Sequence, residues 1–305
     1  MPQARSSNGL IRRISLALLA ISGVGLASLS EGCSGGKSGL VLGDPLSQEA
    51  GTGNTGGPVT GGTEAGGGAA QILGGDSGLA GDPSAAGGPN QPQWVLDTCT
   101  PTINFVKRDT TTQGQLFTDA MPDPSTPVWE ATHDACRLLY RRASEVKSID
   151  EVSLIVEDTD GIAYTAGTEV HLSTRYLKAL TDRGVDLAPE ITGIFHFSIS
   201  LIYQNGGSDA DTAPPAWLII GIADYVRLES GYIDRAERAK GGAYDGKSSQ
   251  TTAFFLDYLS TKSPSIVYDL NQRLAPTAPV WSNDVFTTLL GSDVDTLWAR
   301  YQATL

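Results

Sequence analysis

From Ser34 to Pro92 the chain is dominated by Gly, with Ser, Thr, Pro and Ala and few large apolar residues. Such a stretch has too little apolar surface to offset the conformational entropy lost on ordering, so it reads as a disordered linker. That confines the fold to residues 93–305, about two hundred residues, enough for one domain with a substantial core. As a flexible coil, the 59 linker residues span about 40–45 Å root-mean-square. Two strings within or beside it carry no site. Gly35 to Ser38 (GGKS) has Glu31 where a phosphate loop needs Gly, and neither it nor Gly75 to Gly78 (GDSG) lies between a strand and a helix.

The segment before the linker reads as an export signal. Arg5, Arg12 and Arg13 precede the apolar run Ile14 to Leu29, whose length and basic flank suit cleavage and export better than a membrane-spanning helix. Ser30-Glu31-Gly32-Cys33 follows. A small residue before Cys33 and a Gly/Ser-rich stretch after it resemble a lipoprotein signal, so residues 1–33 are expected to end in a lipidated Cys33. Plain secretion, with Cys33 removed or idle, is the alternative. In an oxidising compartment Cys99 and Cys136 remain as one even pair, read as a disulfide in preference to two buried thiols. The formal net charge of −13 argues against nucleic acid and anionic membrane surfaces as partners, leaving the lipid as the only membrane attachment.

Periodicity gives the elements. Cys136, Leu139, Tyr140 and Ala143 recur at helical spacing within 131–146. Val152, Leu154 and Val156 alternate with polar neighbours, and 158–161 is rich in turn formers, which predicts a strand and a hairpin turn. Strands over 162–164 and 170–172 continue the sheet, and Ser173 is placed to cap a helix through Leu180. Pro189 suits the first turn of a helix that runs to Asn205 and stops at Gly206-Gly207. Further helices are expected over 217–228, 248–259, 264–274 and 293–303, the last capped by Ser292. The order of the strands is not legible.

Two segments then carry the chemistry: "ITGIFHFSISLIYQNGG" from Ile191 and "PPAWLIIGIADYVRL" ending at Leu228. Together with "GIAYTAGTEVHLSTRYL" (161–177), "TTAFFLDYL" (251–259) and "FTTLLGSDVDTLWARYQ" (286–302), they resemble the basic secretory protein family of plants and bacteria, a family of zinc metallopeptidases. The resemblance runs collinearly from about Thr98 to Leu305. It implies an α+β fold of gluzincin-like layout, with a small β-sheet and an active-site helix followed by a helical half. It also implies an HExxH helix and a Glu before the GIADYVRL string. This chain has His196, Phe197, Ser200 and Ile220 at those positions, and it is acidic where plant members are basic.

A catalytic zinc needs about three protein ligands and an open position for water, with a carboxylate nearby to take the proton. Ser200 cannot replace imidazole, Ile220 offers no donor and Phe197 no base. The expectation is a pseudopeptidase with no intact catalytic residue, no metal and no cofactor. Asp224, one turn after Ile220, is the kind of residue that orients a zinc ligand; it is equally suited to capping, pairing or facing solvent. Tyr225 either lines the cleft or packs. His171 points away from the face of Val170 and Leu172, toward the groove where a peptide would lie. His196 alone reads as a hydrogen-bonded helix residue, and His133 is uninformative. Three functions fit: a surface-tethered protein that binds a peptide or cell-envelope ligand; a metallopeptidase with unconventional zinc ligands, drawing on Asp224 and His196; or a purely structural envelope lipoprotein.

Overall fold

The computed structural model describes residues 40–41, 91–206, 214–246 and 248–305. The stretch read as an export signal, Cys33, and residues 34–39 and 42–90 of the stretch read as linker lie outside the described residues. Strands β1 (Leu40–Val41), β2 (Thr102–Lys107), β3 (Glu151–Glu157), β4 (Ala163–Ala166) and β5 (Glu169–Ser173) form one mixed sheet in the order β1-β4-β5-β3-β2. β3 pairs in parallel with β2 and β5, whereas β4 runs antiparallel to β5 and to β1. Chain reversal between β4 and β5 uses the two residues Gly167-Thr168, with Gly167 at φ 63°, a conformation that glycine adopts without steric cost.

Among the described residues, ten α-helices complete the fold: α1 (Gln93–Thr98), α2 (Thr112–Ala120), α3 (Ser125–Leu139), α4 (Thr174–Asp182), α5 (Leu187–Tyr203), α6 (Ala216–Glu229), α7 (Ser249–Ser260), α8 (Ile266–Arg273), α9 (Asp284–Leu290) and α10 (Val294–Gln302). The α+β layout expected from the sequence is what forms. Alternation along β3 and β5 turns Val152, Leu154, Val156, Val170 and Leu172 into the core. α5 packs against the sheet and is flanked by α3 and α6. Nearly every residue of α5 from Ile191 onward is buried, as expected of a helix that is apolar all round. Close approach of α6 and α7 depends on Gly221, where a Cβ would come within 2.3 Å of Thr252 Cγ2.

Several boundaries differ from the sequence reading. α3 starts at Ser125, with Pro127 in its first turn, and ends at Leu139 because Tyr140 turns extended (φ −138°, ψ 161°) and donates its hydroxyl to Tyr203 O at 2.5 Å. α5 begins at Leu187, capped by the Asp186 side chain. α10 is capped by Asp293, which accepts from Thr296 N at 2.8 Å; Ser292 stands one residue too early. Ser173 caps α4 as its position predicts. Leu40–Val41 lies inside the stretch read as structureless linker, yet the pair forms a strand on β4. Cys99 and Cys136 are joined as a disulfide, which ties the turn after α1 to α3.

Candidate functional site

The centre of the molecule is a polar stripe along one side of α5. Thr192 Oγ1 donates to Ala188 O (2.8 Å), His196 Nδ1 to Thr192 O (2.9 Å) and Ser200 Oγ to His196 O (2.6 Å). Each donor is thus satisfied four residues back on its own helix, which is the usual way a buried hydroxyl avoids an unpaired state. The other nitrogen of His196, Nε2, lies 3.3 Å from Asp134 Oδ2 on α3, and its ring packs 4.7 Å from that of Tyr232.

Asp134 also accepts from Ser230 Oγ (2.8 Å), Arg137 Nη2 (3.1 Å) and Gln91 Nε2 (3.2 Å). Burial works to raise its pKa, but hydrogen bonds from His196 and Ser230 and the Arg137 guanidinium outweigh it and hold the carboxyl well below the usual carboxylate range. Because this carboxylate only accepts, and Thr192 O only accepts, both contacts of the His196 ring are made together when both its nitrogens carry protons. Asp134, Ser230 and Tyr232 belong to this site and were missed in the sequence. Asp134 stands 62 residues from His196, and no local spacing links the two.

Phe197 is 2% exposed and lies in the apolar core, and Ile220 packs against the same core. α5 and α6 run past one another in opposite directions: Gln204 Nε2 donates to Ile219 O at 3.1 Å, and Gly193 faces Arg227. Phe197 and Ser200 lie between Gly193 and Gln204 along α5, and Ile220 lies between Ile219 and Arg227 along α6. A zinc ion does not fit that set. Ser200 Oγ is engaged with its own helix, Phe197 and Ile220 present only carbon, and the one imidazole is held by a carbonyl and a carboxylate. Among the described residues, no group of three His, Cys, Asp or Glu side chains is arranged to hold a metal.

Asp224 is 1% exposed, its Oδ1 has no hydrogen-bond partner, and Arg227 Nη1 is 3.8 Å away. Burial raises its pKa, only partly opposed by Arg227 and by a hydrogen bond from Ser249. Tyr225 is buried in the core. His133 is buried inside α3 with neither ring nitrogen paired, and burial lowers its pKa, so it is neutral at physiological pH.

His171 belongs to a different cluster. It lies on the sheet face opposite Val170 and Leu172, fully buried, with Nδ1 2.7 Å from Glu157 Oε1 and Nε2 3.1 Å from Glu169 Oε2. Tyr164 stacks on its ring at 4.2 Å and donates to Glu157 Oε1 at 2.9 Å. Burial and the Glu157 carboxylate together push the Tyr164 hydroxyl up to about 12. The structure therefore does not bring His171 together with His196.

An open hollow of about 490 Å³ adjoins the Asp134–His196 contact. Its lining includes Glu190, Arg227, Asp234, Arg235 and Tyr232, so the ring that packs on His196 also forms part of the hollow's wall. Two cations and two carboxylates face this space, and no activated nucleophile does.

The arrangement is a small mixed sheet, a buried central helix and a helical half, an α+β domain. A family profile described as "Peptidase of plants and bacteria" matches residues 100–301, and the chain belongs to that family, the basic secretory proteins. No curated protein and no solved structure matches the chain.

Proposed function

We propose that this chain is a non-catalytic member of its family: an exported protein, lipid-anchored through Cys33, whose peptidase-shaped domain binds a peptide or envelope ligand without cleaving it. The observation that carries this reading is the chemistry at the motif positions. Phe197, Ser200 and Ile220 supply neither a base nor a metal donor, and His196 is held by Thr192 O and Asp134. Bound metal would otherwise contribute to stability in proportion to its affinity.

Metal analysis of purified residues 34–305, with melting measured with and without a chelator, tests the proposal. Sub-stoichiometric zinc, equal melting temperatures and no chelator-sensitive proteolysis are expected. About one zinc per chain together with a chelator-induced fall in melting temperature would restore a peptidase with unconventional ligands.

A further inference from the structure

A sheet edge leaves a row of backbone N–H and C=O groups open to pairing. The outer edge of β4 is met by Leu40–Val41, in antiparallel register with Thr165 and Tyr164. Two observations make this pairing specific. Leu40-Val41-Leu42 is the longest aliphatic run between Ser34 and Pro92, and it is bounded by Gly39 and by Gly43-Asp44-Pro45, which is the pattern of a short strand between turn formers. The receiving strand is also ordered beforehand: Tyr164, opposite Val41, is stacked on His171 and bonded to Glu157. Strand addition to a fixed edge costs the ordering of the incoming segment alone.

We propose that the outer edge of β4 is a docking site for the chain's own segment around Leu40–Val41, so that the linker is clamped to the domain near its beginning. The six residues 34–39 then separate Cys33 from the domain, a reach of at most about 25 Å. An unclamped linker would average about 40–45 Å. The consequence for the membrane rests on lipidation of Cys33; the docking does not.

Hydrogen exchange on soluble residues 34–305, compared with a variant lacking 39–42 and with Leu40→Pro, tests the clamp without any lipid. Alternation along β4 turns the Tyr164 and Ala166 amides toward β5 and the Thr165 amide toward Leu40, so the amides of Thr165 and Leu40 should exchange slowly in the parent chain. That of Thr165 should exchange at least tenfold faster in the deletion variant, with Leu40→Pro intermediate or equal to it, Tyr164 and Ala166 still slow, and the melting temperature of the domain little changed. Equal exchange of Thr165 in parent and deletion variant would overturn the proposal. Protection that rises with protein concentration would also overturn it, because the occupant would then be a second copy of the chain.

Discussion

Asp224 carries a carboxyl whose burial disfavours the charged form. Its carboxylate is buried, one oxygen has no partner, and the nearest cation is 3.8 Å away. In a zinc peptidase a carboxylate one turn beyond the third ligand has an imidazole to orient; here His196 is turned to Thr192 and Asp134 instead. Since the folded pKa of Asp224 is raised, the unfolded chain binds fewer protons than the native one above the ordinary carboxylate pKa of about 3.9. The contribution of Asp224 to stability therefore falls as pH rises from there through its folded value. Asp224→Asn removes that dependence. The melting temperature of the variant, relative to the parent, should improve between pH 4 and pH 7. A variant less stable than the parent at both pH values would mean that the Arg227 pair is a net stabiliser.

At the scale of elements, the strands at the middle of the sheet and the long helices were legible, because burial on one face imposes a period of 2 or 3.6. β2 was not: it is an edge strand whose burial hardly alternates. α1, α2 and α9 are short helices, of 6, 9 and 7 residues, and gave little period to read. The site was legible only in part. Phe197, Ser200 and Ile220 were singled out by their type against the family resemblance, whereas the partner of His196 lies on α3, and tertiary contact alone selects it. The α5–α6 pair gives the sharpest test of the geometry. In Phe197→Glu, Ser200→His, Ile220→Glu, two imidazoles lie one turn apart on α5, with a base beside them and a carboxylate from the antiparallel α6. Zinc should stabilise this triple variant but neither the parent nor Ser200→His alone. Three new polar groups among apolar neighbours should lower its stability without metal by several kcal/mol. A folded triple variant with no gain in zinc affinity would show that the positions do not converge.

For the whole molecule, the proposed attachment to a membrane must be reconciled with a surface that opposes it. A net charge of −13 repels anionic lipid headgroups, and this repulsion extends about one Debye length, roughly 8–10 Å at physiological ionic strength. Among the described residues, no helix is long and apolar enough to cross a membrane. On the reading proposed above, stable association comes from the segment ending in Cys33, where a thioether bearing acyl chains supplies the attachment. Cys33→Ser removes that attachment without touching the domain, whose disulfide uses Cys99 and Cys136. The variant should appear in the soluble envelope fraction, or remain in the membrane with an uncut signal that a shift in mass reveals. Raising the salt concentration should not detach the unaltered protein, since its adhesion is not electrostatic. Membrane association of a correctly processed Cys33→Ser chain, at the parent level, would reject lipidation and place the attachment on the domain itself.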